Sequence, residues 1–289
     1  MNNPQLLNPN LLKYPPNSKY PYLYHYISQL PFNVKDDFLK TIYESIDKTK
    51  FSNYMKNKKV VIIAPSPSVR EIEEEDNIEN NFDIIVRINK GWKHSSSMNK
   101  YIGRRTDVLY NCMDPDDDSG GLIDIEYVLK NKLKFIIDPI RKHYNDKNHR
   151  DNMFHGEYRL NNLCFFHKYN NNRIPFDCID SSLYEILDQS AQTRLNTGLA
   201  AIIHILSFDI KLLYIKGFTF LKDGYIADYR NEIYGKQVSE SEYTKYVLET
   251  MNYKGTHNQE KQIILFKKIY EKHKDKILIT NAMKKILNE

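Results

Sequence analysis

His257 stands in the stretch Gly255-Thr256-His257-Asn258-Gln259-Glu260-Lys261-Gln262, and the periodic run Ile263-Ile264-Leu265-Phe266-Lys267-Lys268-Ile269-Tyr270 follows at once. That order predicts an imidazole beside a helix N-terminus, after a glycine that permits a sharp turn. The first turn of a helix carries unsatisfied N–H groups and partial positive charge. That field disfavours the imidazolium, so the ring stays neutral and able to accept a proton at neutral pH. Taken alone, the pattern equally fits an ordinary polar residue at a helix start. Glu260 has two readings, orienting His257 or capping its helix.

Short β-branched runs bounded by turn residues predict the strands that position such groups. They are Lys59 to Ala64, Phe82 to Asn89, Asp107 to Asn111, Leu133 to Asp138 and Lys211 to Gly217, with Asn162 to Phe166 and Lys276 to Ile279 as further candidates. Helices are predicted from Val34 to Lys48, with Asn33 as N-cap, and from Thr197 to Phe208. Apolar strands without in–out alternation, separated by helices, indicate a parallel sheet covered on both faces. The fold class is therefore α/β, with a Rossmann-like parallel sheet flanked by helices. Residues 1–57 read as a Pro/Asn/Tyr-rich N-terminal extension and residues 58–289 as the main domain. The prolines of Tyr14 to Tyr22 argue against helix there. Segments 139–161 and 222–256 read as long loops or lids.

Ligands of such sheets bind beyond the carboxyl ends of the strands. The polar residues there are Ser66 and Ser68 in Ala64-Pro65-Ser66-Pro67-Ser68, then Asn89, Asn111 and the segment after Gly217. The serine turn offers backbone N–H groups to a phosphate, although Pro65 and Pro67 each remove one. Asn89 and Asn111 offer amides to a sugar or phosphate, or cap turns. Asn196 or Thr197 caps the apolar helix; with Arg194 and Gly198 the same segment forms a phosphate cradle. Trp92, the only tryptophan, is suited to stacking on an acceptor sugar. Asp116 and Asp118 satisfy an Asp-x-Asp pattern that holds a divalent metal, or form a solvated loop. His143, His149, His155 and His167 match no standard metal spacing and read as solvated loop positions. His204, within an apolar run, reads as a core residue.

The bulk properties narrow the classes. A net charge of +5, spread over the chain, suits an anionic small molecule better than a nucleic-acid surface. Three cysteines without a C-x-x-C pair fit a reducing compartment. No apolar run of about 20 residues is present, and the first residues do not form a signal peptide. The expected location is cytoplasmic, with at most peripheral membrane contact.

The ordered set of motifs resembles the bacterial sialyltransferases of glycosyltransferase family 42, and more distantly the family 29 sialyltransferases. The resemblance runs over residues 58–273, about three-quarters of the chain. It is carried by Lys58 to Ile72, Phe82 to Asn89, Tyr101 to Asn111, Arg194 to Gly198, Leu213 to Phe218 and Gly255 to His257. It implies the GT-A-like variant of the Rossmann-like fold found in sialyltransferases, with a lid segment, and makes residues 58–289 a nucleotide-sugar-binding glycosyltransferase domain. It implies that Asn89 and Asn111 contact a CMP-sugar donor and that Asn196-Thr197-Gly198 holds the nucleotide. Tyr225 and Tyr229 fall where tyrosines hydrogen-bond the leaving phosphate, and His257 where the catalytic base stands. Where the family has Gly-Asn-Gly-Pro-Ser, this chain has Ala64-Pro65-Ser66-Pro67-Ser68, which removes an amide and backbone freedom beside the nucleotide.

The implied reaction is inverting transfer of a sugar from CMP, most simply sialic acid or a related acid, to a hydroxyl of a glycan or glycolipid. No cofactor is expected and no divalent metal is required. Two other readings remain open: a metal-dependent transferase using a UDP- or GDP-sugar through Asp116 and Asp118, and a non-catalytic glycan- or nucleotide-binding module.

Overall fold

The computed structural model describes residues 20–72, 77–94, 96–115, 120–139, 152–226 and 257–288, with 239, 242 and 245 between the last two stretches. Tyr229, Asp116, Asp118, His143 and His149 lie outside the described residues.

Seven strands form one sheet: β1 (Lys59–Ile63), β2 (Ile84–Ile88), β3 (Val108–Tyr110), β4 (Phe135–Asp138), β5 (Phe176–Cys178), β6 (Leu212–Lys216) and β7 (Ile277–Ile279). Their spatial order is β5-β4-β3-β2-β1-β6-β7, and every pairing is parallel. Each of the central strands β2 to β4 is buried at every position. That explains why these runs show no alternation in sequence. Chain order reverses between β1 and β6, and such a switch point opens a crevice at the carboxyl edge.

Eleven helices are described: α1 (Tyr20–Ser28), α2 (Phe32–Glu44), α3 (Lys48–Met55), α4 (Ile78–Asn81), α5 (Asn99–Ile102), α6 (Ile125–Lys130), α7 (Asn152–Asn170), α8 (Ser181–Ala191), α9 (Thr197–Leu206), α10 (Gln259–Lys272) and α11 (Asn281–Leu287). The central one is α9, and its apolar side chains join β1, β2, β3 and β6 in the main core. None of the described helices is long and apolar enough to cross a membrane.

Four sequence expectations change. Asn162 to Phe166 is not a strand but the middle of α7, which also takes residues 152–161 out of the expected loop. Residues 159–167 are buried on every face, so the helix shows no polar stripe to betray its period. The helix expected from Val34 to Lys48 is two helices. The first starts at Phe32 without a side-chain cap; the second is started by Asp47, whose carboxylate accepts from Thr49 N. Helix α1 begins at Tyr20 with Pro21 in its first turn, where no N–H needs a helical partner. His167 is no solvated loop residue: it is buried on α7, its ring 4.5 Å from that of Phe176. Residues from α1 and α2 pack on α7; the rings of Tyr24 and Phe165, for example, meet edge to face at 5.7 Å.

His204 is a core residue held by Tyr110, with 2.9 Å between the hydroxyl and Nδ1. Burial lowers the pKa values of His167 and His204 to about 3. Both rings are then neutral in the folded protein, whereas the unfolded chain protonates them near 6.5. Their contribution is intact above pH 6.5 and is lost as pH falls toward 3, at up to about 1.4 kcal/mol per pH unit for each ring. Urea unfolding at pH 7, 6 and 5 should show that decline, and His204→Gln should make it shallower.

Candidate functional site

A cavity of about 150 Å³ opens at the carboxyl edge of the sheet, around the switch between β1 and β6. Its first wall is the turn after β1. Ala64 N donates to Lys216 O at 2.9 Å and Ser66 N to Gly217 O at 3.1 Å, so this turn is zipped to the end of β6. Ser66 Oγ accepts from Ser68 N at 3.1 Å and starts a 3-10 turn at Pro67. Ser66 therefore faces the cavity, while Ser68 is buried behind it, its hydroxyl 2.9 Å from that of Ser66. Gly217 has φ +68°, and a Cβ there would lie 2.0 Å from Val69 Cγ1 and 2.4 Å from Ala64 O. Only glycine permits both that conformation and that approach.

The two asparagines differ. Asn89, at the end of β2 with φ +49°, lines the cavity, and its Oδ1 accepts from Cys112 N at 3.1 Å. Asn111 is fully buried: its amide donates to Gly120 O at 3.0 Å and accepts from Met113 N at 2.7 Å. It braces the loop after β3 and is not part of the cavity wall. Trp92 is not brought to the cavity either. It is 4% exposed and packs on Tyr127, with ring centroids 5.2 Å apart. The 3-10 turn from Asn89 to Trp92 carries the indole inward.

The opposite wall is the start of α9. Asn196 is its N-cap, accepting from Leu199 N at 2.7 Å, and its own N–H donates to Gln262 Oε1 at 3.0 Å. Arg194, Thr197 and Gly198 line the cavity beside it. Thr197 and Gly198 occupy the first turn, where helical N–H groups lack partners and suit an anion. Tyr225 completes this side, and Ile226 N is tied to Pro65 O at 2.8 Å.

His257 precedes Asn258, the true N-cap of α10, whose side chain accepts from Lys261 N at 3.0 Å. Its Nδ1 lies 2.9 Å from Arg194 O. A carbonyl only accepts, so Nδ1 carries the proton and Nε2 the lone pair. Burial, and next the Arg194 charge, lower its pKa to about 4. Desolvation and the Arg194 charge thus hold the ring neutral. Glu260 is exposed on the first turn of α10; the carbonyl of Arg194, not this carboxylate, orients the ring. Burial raises the Cys112 thiol to about 11, so it stays protonated and is no nucleophile at neutral pH.

Sequence reasoning missed Arg159, Asp114, Phe218 and Phe220 in this wall. Arg159 sat in a stretch read as loop, and its partner Asp138 lies 21 residues away. No local pattern carries such a pairing. Phe218 packs against Gly198, where a Cβ would come within 2.3 Å of its ring, a contact that only the fold reveals.

The sequence matches no protein-family model and no curated protein. The fold is similar to solved structures. A mammalian sialyltransferase in complex with Gal-beta-1-3GalNAc-ortho-nitrophenol matches with a TM-score of 0.50 over 95% of this chain and 89% of its own, at 10% identity. The sialyltransferase CstII from Campylobacter jejuni, in complex with cytidine-5'-monophosphate, matches with a TM-score of 0.46 over 78% of this chain and 80% of its own, at 16% identity. Cst-I, a monofunctional alpha-2,3-sialyltransferase from the same organism, has a TM-score of 0.46 over 81% and 77%, at 14% identity. At such identities the first of these likenesses establishes a shared α/β fold.

Gly198→Ala should force the Phe218 ring away and distort the start of α9, at a cost of about 1–3 kcal/mol. Denaturant melts of this variant should show that loss. Stability equal to wild type would mean that the ring yields freely.

Proposed function

We propose that this chain is an inverting, metal-independent glycosyltransferase of the sialyltransferase type, moving an acidic sugar from CMP to a hydroxyl of a glycan or glycolipid. The observation that carries the reading is the hydrogen bond from His257 Nδ1 to Arg194 O, which leaves Nε2 as an acceptor in the wall of a cavity that also holds a helix N-terminus. A proton acceptor and an anion cradle are what transfer from a sugar phosphate to a hydroxyl requires.

Nε2 takes the proton of the acceptor hydroxyl as its oxygen attacks the anomeric carbon. Attack comes from the face opposite the phosphate, so the configuration inverts. The bond to the phosphate oxygen breaks, and CMP leaves. The N–H groups of Thr197 and Gly198 and the hydroxyl of Tyr225 hold the charge that grows on that phosphate. A ring with a pKa of about 4 is a weak base in the free protein. Donor phosphate and carboxylate bring negative charge beside it, and nearby negative charge raises a histidine pKa. Donor binding therefore strengthens the base at the step that needs it. We assign Asn89 and Ser66 to donor contacts, and Tyr229 to the phosphate beside Tyr225. Cys112, Cys164 and Cys178 are buried and form no disulfide, which supports a reducing, cytoplasmic setting.

The reading is tested by following sugar transfer from CMP-sialic acid to a galactoside in excess chelator. Wild type should turn over, and His257→Ala should lose about 10²–10⁴-fold in kcat. Turnover only with a UDP- or GDP-sugar and added metal would move the assignment to Asp116 and Asp118. Equal turnover by wild type and variant would remove His257 from the mechanism.

A further inference from the structure

Arg159 is 4% exposed, and Asp138, its partner at the end of β4, is fully buried. The guanidinium spans two elements. Nη2 bonds the Asp138 carboxylate, and Nε donates to Cys112 O at 2.8 Å. Asp138 also accepts from the Tyr43 hydroxyl at 2.9 Å. These contacts pin α7 to the carboxyl edge of the sheet, and they account for two of the three guanidinium nitrogens. The third, Nη1, is buried and has no hydrogen-bond partner among the described residues. Buried charged donors are rarely left so, because desolvation without a partner is costly. A merely structural ion pair gains nothing from leaving Nη1 unmet. The side chain belongs to the cavity wall, together with Cys112, Asp114 and Arg194. A ligand in the cavity can supply the oxygen that Nη1 lacks among the described residues, and a positive donor in a desolvated site selects an anionic one.

We propose that Arg159 Nη1 is an anion-binding position of this cavity, taking an anionic oxygen of the bound donor. Two groups of an acidic CMP-sugar carry that chemistry: the phosphate and the sugar carboxylate. The identity of the donor rests on the functional reading above; the anion position rests on the geometry of Arg159 alone. Asp138 and Tyr43 act behind it. They fix the guanidinium so that Nη1 is offered at little cost in side-chain freedom.

The test compares wild type with Arg159→Lys and with the double variant Arg159→Met/Asp138→Asn. Lysine keeps a charge opposite Asp138, but one ammonium cannot serve both the carboxylate and the cavity. The double variant removes both charges and carries the comparison if the lysine variant folds poorly. Thermal melts with inorganic phosphate, at constant ionic strength, should raise the wild-type Tm by clearly more than that of either variant. Phosphate that stabilises all three proteins alike, or none of them, overturns the proposal.

Calorimetric titration with cytidine, CMP and CMP-3FNeuAc then locates the anion. Loss of about tenfold in CMP affinity with cytidine unchanged identifies the phosphate. Loss confined to CMP-3FNeuAc identifies the carboxylate. Equal loss for cytidine and CMP contradicts an anion contact. If wild type binds neither nucleotide while phosphate still discriminates, the CMP reading fails and the anion position stands.

Discussion

Parallel pairing of β1 with β6 sets the position of every group in the cavity. The register runs from Lys59 opposite Leu212 to Ile63 opposite Lys216. It continues past the strand ends through Ala64 N to Lys216 O and Ser66 N to Gly217 O. Backbone therefore approaches backbone at the mouth of the crevice, and Gly217 is there because a side chain would collide with Ala64 O and Val69. Helix α9, packed against the inner strands, brings its N-terminus to the same edge. Once β1 and β6 are in register, the serine turn, the helix end and Tyr225 have little choice of place.

The second requirement is that polar groups on this edge be spent unequally. Asn111 uses its amide within the loop after β3, whereas Asn89 keeps a place on the cavity wall. His257 gives Nδ1–H to a backbone carbonyl and retains Nε2. Arg159 commits Nε and Nη2 and retains Nη1. The pattern is the same for His257 and Arg159: one part of a side chain is fixed by the scaffold so that another part is oriented. Such support restricts rotamers before a ligand arrives, which is how a site is preorganised.

Much of this was legible from sequence because it is local. Unbroken β-branched runs marked the inner strands, and their polar ends marked the crevice. Asn196-Thr197-Gly198 before an apolar run marked a helix start, and Gly255-Thr256-His257 before another marked His257. The structure brings Ser66, Asn89, Arg194, Asn196, Thr197, Gly198, Gly217, Tyr225 and His257 to one cavity. What escaped was non-local. Asn111 and Asn89 look alike as strand-end asparagines, and only the fold of the following loop separates them. The indole of Trp92 turns inward because of a 3-10 turn that its neighbours do not announce. Helix α7 was hidden by burial on all faces, and with it Arg159, whose meaning depends on Asp138 on another element.

We infer that His257 is a neutral, Nδ1-protonated ring whose Nε2 gains basicity when an anionic nucleotide fills the cavity. Nitrogen-15 NMR of histidine-labelled protein, with the His257 signal assigned through His257→Gln, measures both tautomer and pKa. The expected result is the Nδ1–H tautomer, a pKa of about 4 in the free protein, and an upward shift on saturation with CMP. A proton on Nε2, or a pKa near the ordinary value that CMP leaves unchanged, would contradict it.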